Sequence, residues 1–249
     1  GEGDACGPRI VLTTVDARLI AIRTSDGKPC PSFGNNGTVD LWVGMGDADA
    51  KYLTNSSGPI VSRGKIVLGG RVVDNVTEGE PSGVIRAYDA VTGAVAWVWD
   101  LGQPGLKGVP PEGQHYTKGT PNAWSLLSYD DDLGMVYLPL GNATPDIYGG
   151  IRRKFDDEYN SSIVALDIET GDVVWKFQTT HHDLWDYDLP AQPVLADIPD
   201  GKGGSIPGLV QLTKRAQIFV LDRRTGQPIK KVEEKSVPKP DGTIEGEYY

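Results

Sequence analysis

The sequence predicts an all-β protein of four-stranded antiparallel blades, arranged as part of a β-propeller. Three observations point there. Gly (32) and Pro (18) fill about a fifth of the 249 residues, against roughly 12% on average, with no G-X-Y period. One pattern with the chemistry of a hairpin recurs along the chain. No apolar run approaches the ~18–20 residues of a membrane-spanning helix, and no signal peptide opens the chain.

The repeat is clearest at residues 84–99 and 163–177. Both fit A-x-D-x-x-T-G-x-x-x-W, through Ala87, Asp89, Thr92, Gly93 and Trp97, then Ala165, Asp167, Thr170, Gly171 and Trp175. A weaker copy at 218–230 keeps Asp222, Thr225 and Gly226 but has Lys230 in the Trp position. Another at 19–33 keeps only Ala21 and Gly27. In each copy an apolar strand runs into a turn where Asp can bond its own backbone and Gly supplies a positive φ. A second strand follows, and its Trp is large enough to lie across a neighbouring sheet. Further strands are expected at Arg9–Thr14, Gly64–Gly69, Met135–Leu140 and Leu209–Thr213. About four strands per copy, with turn glycines 55 to 78 residues apart, is the arithmetic of propeller blades. A β-sandwich ranks second, because it needs no repeat. The longer intervals must hold loop insertions, where sites are commonly built.

A net charge of −10 argues against nucleic acid or anionic lipid as partners. Cys6 and Cys30 are the only cysteines and belong to no C-x-x-C motif. A bridge between them would close a loop of about 25 residues, worth roughly 3 kcal/mol, and would require an oxidising compartment. A bridge is the expectation, with two buried thiols as the alternative. The abrupt ends, Gly1-Glu2-Gly3 and Glu247-Tyr248-Tyr249, suggest a piece of something longer.

The Trp repeat, taken with the run His181-His182-Asp183-Leu184-Trp185-Asp186-Tyr187-Asp188-Leu189-Pro190, resembles the quinoprotein dehydrogenases. These are eight-bladed propellers that use pyrroloquinoline quinone (PQQ). The similarity is strongest to the membrane-bound glucose dehydrogenase type, whose relatives oxidise aldoses, polyols or quinate. It extends through Cys6–Cys30, Asp74-Asn75, Ser82–Arg86 and Thr144–Gly150. The resemblance implies that residues 1–249 are a partial PQQ-binding domain, about half (roughly four blades) of the propeller, without membrane helices or the other blades. It implies oxidation of a sugar or polyol hydroxyl, glucose to gluconolactone first, with quinate or shikimate as the alternative. Electrons would pass to membrane ubiquinone at the periplasmic face of a bacterial inner membrane. A non-catalytic propeller scaffold would share the repeat but leave the HHDLWDYD run unexplained. Half a propeller exposes edges and apolar surface, so the chain alone is expected to self-associate and to be inactive.

PQQ is a flat tri-anion. Its site needs an aromatic platform, an oxygen-ligated hard cation, positive charge near the quinone oxygens and a base for the substrate hydroxyl. The resemblance assigns Trp124 as the platform, since it lies outside the repeat, whereas Trp97 and Trp175 are explained by docking. Trp42, Trp99 and Trp185 are read as packing groups. Asp186 is the expected general base, in an acidic cluster with Asp183 and Asp188, which are read as structural. Lys214 is expected beside the quinone carbonyl, where an ammonium stabilises developing charge. Asp74 and Asn75 are the expected ligands of a Ca²⁺ or Mg²⁺ ion, with Asn142 as a competing ligand or cofactor contact. Thr144 and His182 are further cofactor contacts, and adjacent His181 is expected to face away from His182. His115 is a weaker candidate.

Overall fold

The structure is a computed structural model and describes residues 6–235 and Gly242. Four antiparallel blade sheets follow one another along the chain, with a separate two-stranded sheet beside the second. The first joins β1 (Arg9–Thr13), β2 (Arg18–Arg23) and β3 (Thr38–Asp40). After β4 (Leu53–Thr54) the second blade begins with β5 (Ile60–Ser62) and β6 (Lys65–Leu68). Strand β7 (Arg71–Val72) turns back to pair with β4, and β8 (Ile85–Asp89) and β9 (Val95–Trp99) complete the blade. The third blade contains β10 (Ser128–Asp130), β11 (Met135–Pro139), β12 (Ser162–Asp167) and β13 (Val173–Gln178). A short helix, α1 (Lys154–Tyr159), lies in its β11–β12 insertion. The fourth comprises β14 (Val194–Pro199), β15 (Ser205–Leu212) and β16 (Ile218–Asp222).

Among the described residues, the second and third blades have the expected four strands, and the first and fourth have three. The outer strand differs at one repeat position. Two residues after the turn Gly, the four-stranded blades have Val95 and Val173, and the others have Pro29 and Pro228. Proline has no N–H for the ladder. At those two sites pairing shrinks to single bridges, Ile22 with Pro29 and Leu221 with Pro228. In the first blade the chain loops out and pairs again as β3. In the four-stranded blades the register slips at one shared place, after Ala87 and after Ala165.

Strand alternation distributes side chains between the layers. From β12, Val164 and Leu166 enter the core between the second and third blades, while Ile163 and Ala165 enter the core between the third and fourth. From β6, Ile66 and Leu68 face the first blade and Val67 the third.

The repeat Trp residues fasten neighbouring blades. The Trp97 indole donates to the Ile168 carbonyl at 2.8 Å, and Trp175 donates to the Arg223 carbonyl at 3.1 Å. Each acceptor follows the Asp of the next repeat. Each ring covers the next blade's turn Gly so closely that a Cβ on Gly171 would lie 2.5 Å from Trp97, and one on Gly226 2.5 Å from Trp175. The first blade has no Trp at the repeat position, and Phe33 takes its place, 3.2 Å from a Cβ on Gly93, beside Val39 at 2.8 Å. Gly27 has the same left-handed turn, φ 69° against 71° at Gly171, but nothing within 4 Å. Gly171→Ala should therefore cost about 2–4 kcal/mol through strain plus overpacking, whereas Gly27→Ala should cost only about 1 kcal/mol. Urea midpoints of the two variants test this, and equal losses would show that the turn alone matters.

Cys6 and Cys30 form a disulfide with Cα atoms 5.6 Å apart, and they join the core between the first and second blades. Thiol titration of the unfolded, unreduced protein should find none free. Reduction should lower stability by roughly 3 kcal/mol, and an unchanged urea midpoint would contradict that.

Candidate functional site

The loops at one end of the second, third and fourth blades converge on a cluster of acids around one tryptophan. Trp124 follows the segment 120–123, which lies directly on the second blade. A Cβ on Gly69 would meet the Ala123 carbonyl oxygen at 2.3 Å, and one on Gly83 the Pro121 oxygen at 2.3 Å. Bulkier residues would lift the segment. Ser57 donates its hydroxyl to the Trp124 carbonyl at 2.6 Å. The indole N–H of Trp124 donates to Asp188 Oδ2 at 2.9 Å.

Lys214 lies in the tight turn between β15 and β16. Its ammonium donates to Asp186 Oδ1 at 2.7 Å, lies 3.5 Å from Asp188 Oδ2, and is 5.8 Å from the Trp124 ring centre. Trp124, Asp186 and Lys214 thus come together from segments far apart in sequence. Burial opposes the Lys214 charge, but the bond to Asp186 and the charges of Asp188 and Asp186 outweigh it and raise its pKa. Oxygens of Asp146, Asp186 and Asp188 lie within 4.8 Å of one another. Burial, reinforced by the charges of Asp188, Asp74 and Asp186, pushes Asp146 up to about 9. Burial likewise pushes Asp188 up to about 6, against the pull of Lys214.

Asp146 was absent from the expected site residues. Its backbone N–H donates to Asn75 Oδ1 at 2.9 Å, and the Asp74 carboxylate is among the negative charges that face it. The Asp74-Asn75 pair therefore borders the acidic cluster through Asp146, and the Asn75 oxygen already accepts a bond. Asp146 Oδ1 is buried without a hydrogen-bond partner.

Asn142 is buried with both ends of its amide engaged. Its Nδ2 donates to Asp183 Oδ2 at 2.8 Å, and its Oδ1 accepts from the Ser161 hydroxyl at 3.1 Å. Asp183 also receives the backbone N–H groups of Trp185 and Tyr187, so it shapes the turn that carries Asp186. Thr144 is buried beside Gly119, and its hydroxyl lacks a partner. His182 is buried against α1, its Nδ1 2.9 Å from Asp157 Oδ1, while His181 is exposed. The two do face apart, but through a turn with His182 left-handed (φ 39°) and not through strand alternation. His115 packs on Gly46, with Nδ1 2.8 Å from the Tyr116 carbonyl.

Asp188, expected to be structural, holds three site groups through its carboxylate. One expectation needs correction. Trp185 was read as a packing residue, yet it is 50% exposed and stacks on Tyr187. Left-handed backbone gathers here as well. Asn75, Ser161, His182 and Asp186, with φ between 39° and 59°, hold the costly conformations that tend to collect at functional sites.

All 249 residues match the family described as PQQ: Glucose/ethanol/alcohol dehydrogenase, beta-propeller domain. The chain is 44% identical over 98% of its length to quinoprotein glucose dehydrogenase A of Acinetobacter calcoaceticus. It is 43% identical over 99% to the glycerol dehydrogenase large subunit of Gluconobacter oxydans, and 42% identical over 98% to the quinate/shikimate dehydrogenase (quinone) of Acinetobacter baylyi. These matches cover 31%, 33% and 30% of the relatives, so the chain spans about a third of their length. Among solved structures, the quinohemoprotein alcohol dehydrogenase of Comamonas testosteroni superposes with a TM-score of 0.71 at 27% identity, over 96% of this chain and 36% of that one.

Proposed function

Because the chain belongs to the PQQ-dependent glucose/ethanol/alcohol dehydrogenase β-propeller family, we propose that it supplies the base, platform and cation-binding part of an enzyme oxidising a sugar or polyol hydroxyl. Glucose is the first substrate to test. The relatives named for glycerol, glucose and quinate or shikimate define the panel, with quinate and shikimate as the alternative. The quinone in one relative's name supports ubiquinone as the acceptor. The disulfide suits an oxidising compartment, in keeping with the periplasmic face of a bacterial inner membrane.

The observation that carries this reading is the convergence of Trp124, Asp186 and Lys214 around Asp188. The residues fit the family's cofactors. Trp124 offers an aromatic face, and Lys214 offers positive charge 5.8 Å from that ring. Asp146, Asp186 and Asp188 face a single ammonium, so the cluster remains negative, and Asp146 Oδ1 lacks a partner. An all-oxygen set of that charge suits Ca²⁺ or Mg²⁺. We place the cation there, with Asp74 and Asn75 supporting Asp146.

Bound PQQ would supply the two-electron acceptor. Asp186 would take the proton of the substrate hydroxyl on its carboxylate. Lys214 would orient that carboxylate through its 2.7 Å bond and keep positive charge beside it. Thr144, with its partnerless hydroxyl, could donate to a ligand oxygen. His182, locked to Asp157, would support the loop. The test is reconstitution of the whole enzyme with PQQ and Ca²⁺ or Mg²⁺, followed by dye reduction with glucose, glycerol, quinate and shikimate. Reduction with none of the four, despite bound PQQ, would count against the proposed substrate class. Light scattering of the chain alone should show self-association, and a monodisperse monomer would contradict it.

A further inference from the structure

We propose that Asp188 is a positioning residue whose carboxylate, seated on Gly141, fixes the Trp124 indole and the Lys214 ammonium in register with each other. The inference rests on the PQQ-binding reading and gives the platform its anchor. Three donors from three segments meet on this one buried side chain. The Trp124 indole N–H reaches Oδ2 at 2.9 Å, the Asn142 backbone N–H reaches Oδ1 at 2.9 Å, and Lys214 Nζ lies 3.5 Å from Oδ2. They come from the loop before β10, the loop after β11 and the β15–β16 turn. Trp124 is only partly buried, so burial alone does not fix its ring. Among the described residues, the bond to Asp188 is the one hydrogen bond of its indole N–H. An ionised carboxylate accepts all of these donors at once, whereas an amide would turn an N–H toward one of them.

Gly141 shows how closely this carboxylate is seated. A Cβ at 141 would lie 2.9 Å from Asp188 Oδ1, 3.0 Å from Cγ and 3.1 Å from Oδ2, its three nearest neighbours. Gly141 is not left-handed, so alanine is allowed there by the backbone. Gly141→Ala would thus displace the Asp188 carboxylate without adding or removing a polar group.

The experiment uses the whole enzyme with saturating Ca²⁺ and measures PQQ dissociation constants by equilibrium dialysis. Asp188→Asn and Gly141→Ala should each weaken PQQ binding tenfold or more. In cofactor-free protein the ¹⁵N-labelled Trp124 indole, assigned through its loss in Trp124→Phe, should shift and exchange faster in both variants. In a Trp124→Phe background, which has no indole N–H, the same two changes should cost clearly less than in wild type, the remainder being the share carried through Lys214 and the cation. That background also separates the indole contact from any contact between Asp188 and the cation. Unchanged PQQ affinity in folded Gly141→Ala would overturn the proposal, and so would a full loss persisting in Trp124→Phe. If Asp188→Asn does not fold, Gly141→Ala alone decides. If the wild-type enzyme binds no PQQ, the functional reading falls, and the indole exchange still decides whether Asp188 anchors Trp124.

Discussion

Asp186→Asn in the whole enzyme, saturated with PQQ and cation, is expected to lower kcat by roughly 10²–10⁴-fold, the usual contribution of a general base. Asn keeps the size of the side chain and an oxygen for the Lys214 bond, but it cannot accept the substrate proton. PQQ affinity should stay within about threefold, because the platform is anchored by Asp188. Steady-state dye reduction and a PQQ titration of the same sample measure both quantities. Retained turnover would remove Asp186 from the base role. Parallel loss of PQQ binding would show that it anchors the cofactor instead.

The second large effect concerns Asp146. Its folded pKa of about 9 lies far above the 3.8 of a free aspartate. The folded chain therefore holds a proton that the unfolded chain releases, so stability is lost as pH climbs from about 4 toward 9. Asp188, at about 6, contributes with the same sign over the lower part of that range. The carboxylates whose pKa values are lowered, Asp130 and Asp222 among them, act in the opposite sense but only in acid. Above pH 6 the slope should belong mainly to Asp146. In cation-free protein at pH 8, Asp146→Asn should raise the melting temperature by on the order of 5 °C, since one kcal/mol is worth roughly 2–4 °C at this size. It should also flatten the pH dependence. Ca²⁺ should raise the wild-type melting temperature and do little for the variant. A variant that melts lower than wild type at pH 8 would mean that the carboxylate is already well paired.

The blade order and the docking tryptophans were legible because the repeat is local and its residues have fixed turn and packing roles. Phe33 was not, since it lies six residues past its turn Gly, where the repeat puts Trp at four. The single bridge at the outer edge of the fourth blade had a readable signal in Pro228. In the site, Trp124, Asp186 and Lys214 could be named from a resemblance, but their partners could not. The bond from Trp124 to Asp188 spans 64 residues, and the one from Asp146 to Asn75 spans 71. Nothing local in Thr144-Pro145-Asp146 reveals that folding will leave one of its oxygens alone among carboxylates. Burial and loop closure decide such contacts, and a one-dimensional pattern does not contain them.

The aromatic clasps all point one way. Phe33 reaches forward to Gly93, Trp97 to Gly171 and Trp175 to Gly226, so each blade grips its successor. Coupling handed only from neighbour to neighbour makes the array a row of links, in which a local fault spreads no further than the adjoining joint. Cutting one link, as Trp97→Ala would, should divide a single melting transition into two. The half carrying Asp186, Asp188 and Lys214 would then unfold on its own schedule, while Trp124 would keep its seat on the second blade. The cofactor centre draws on the second, third and fourth blades, so it would lose its register at that joint while staying largely indifferent to the state of the first.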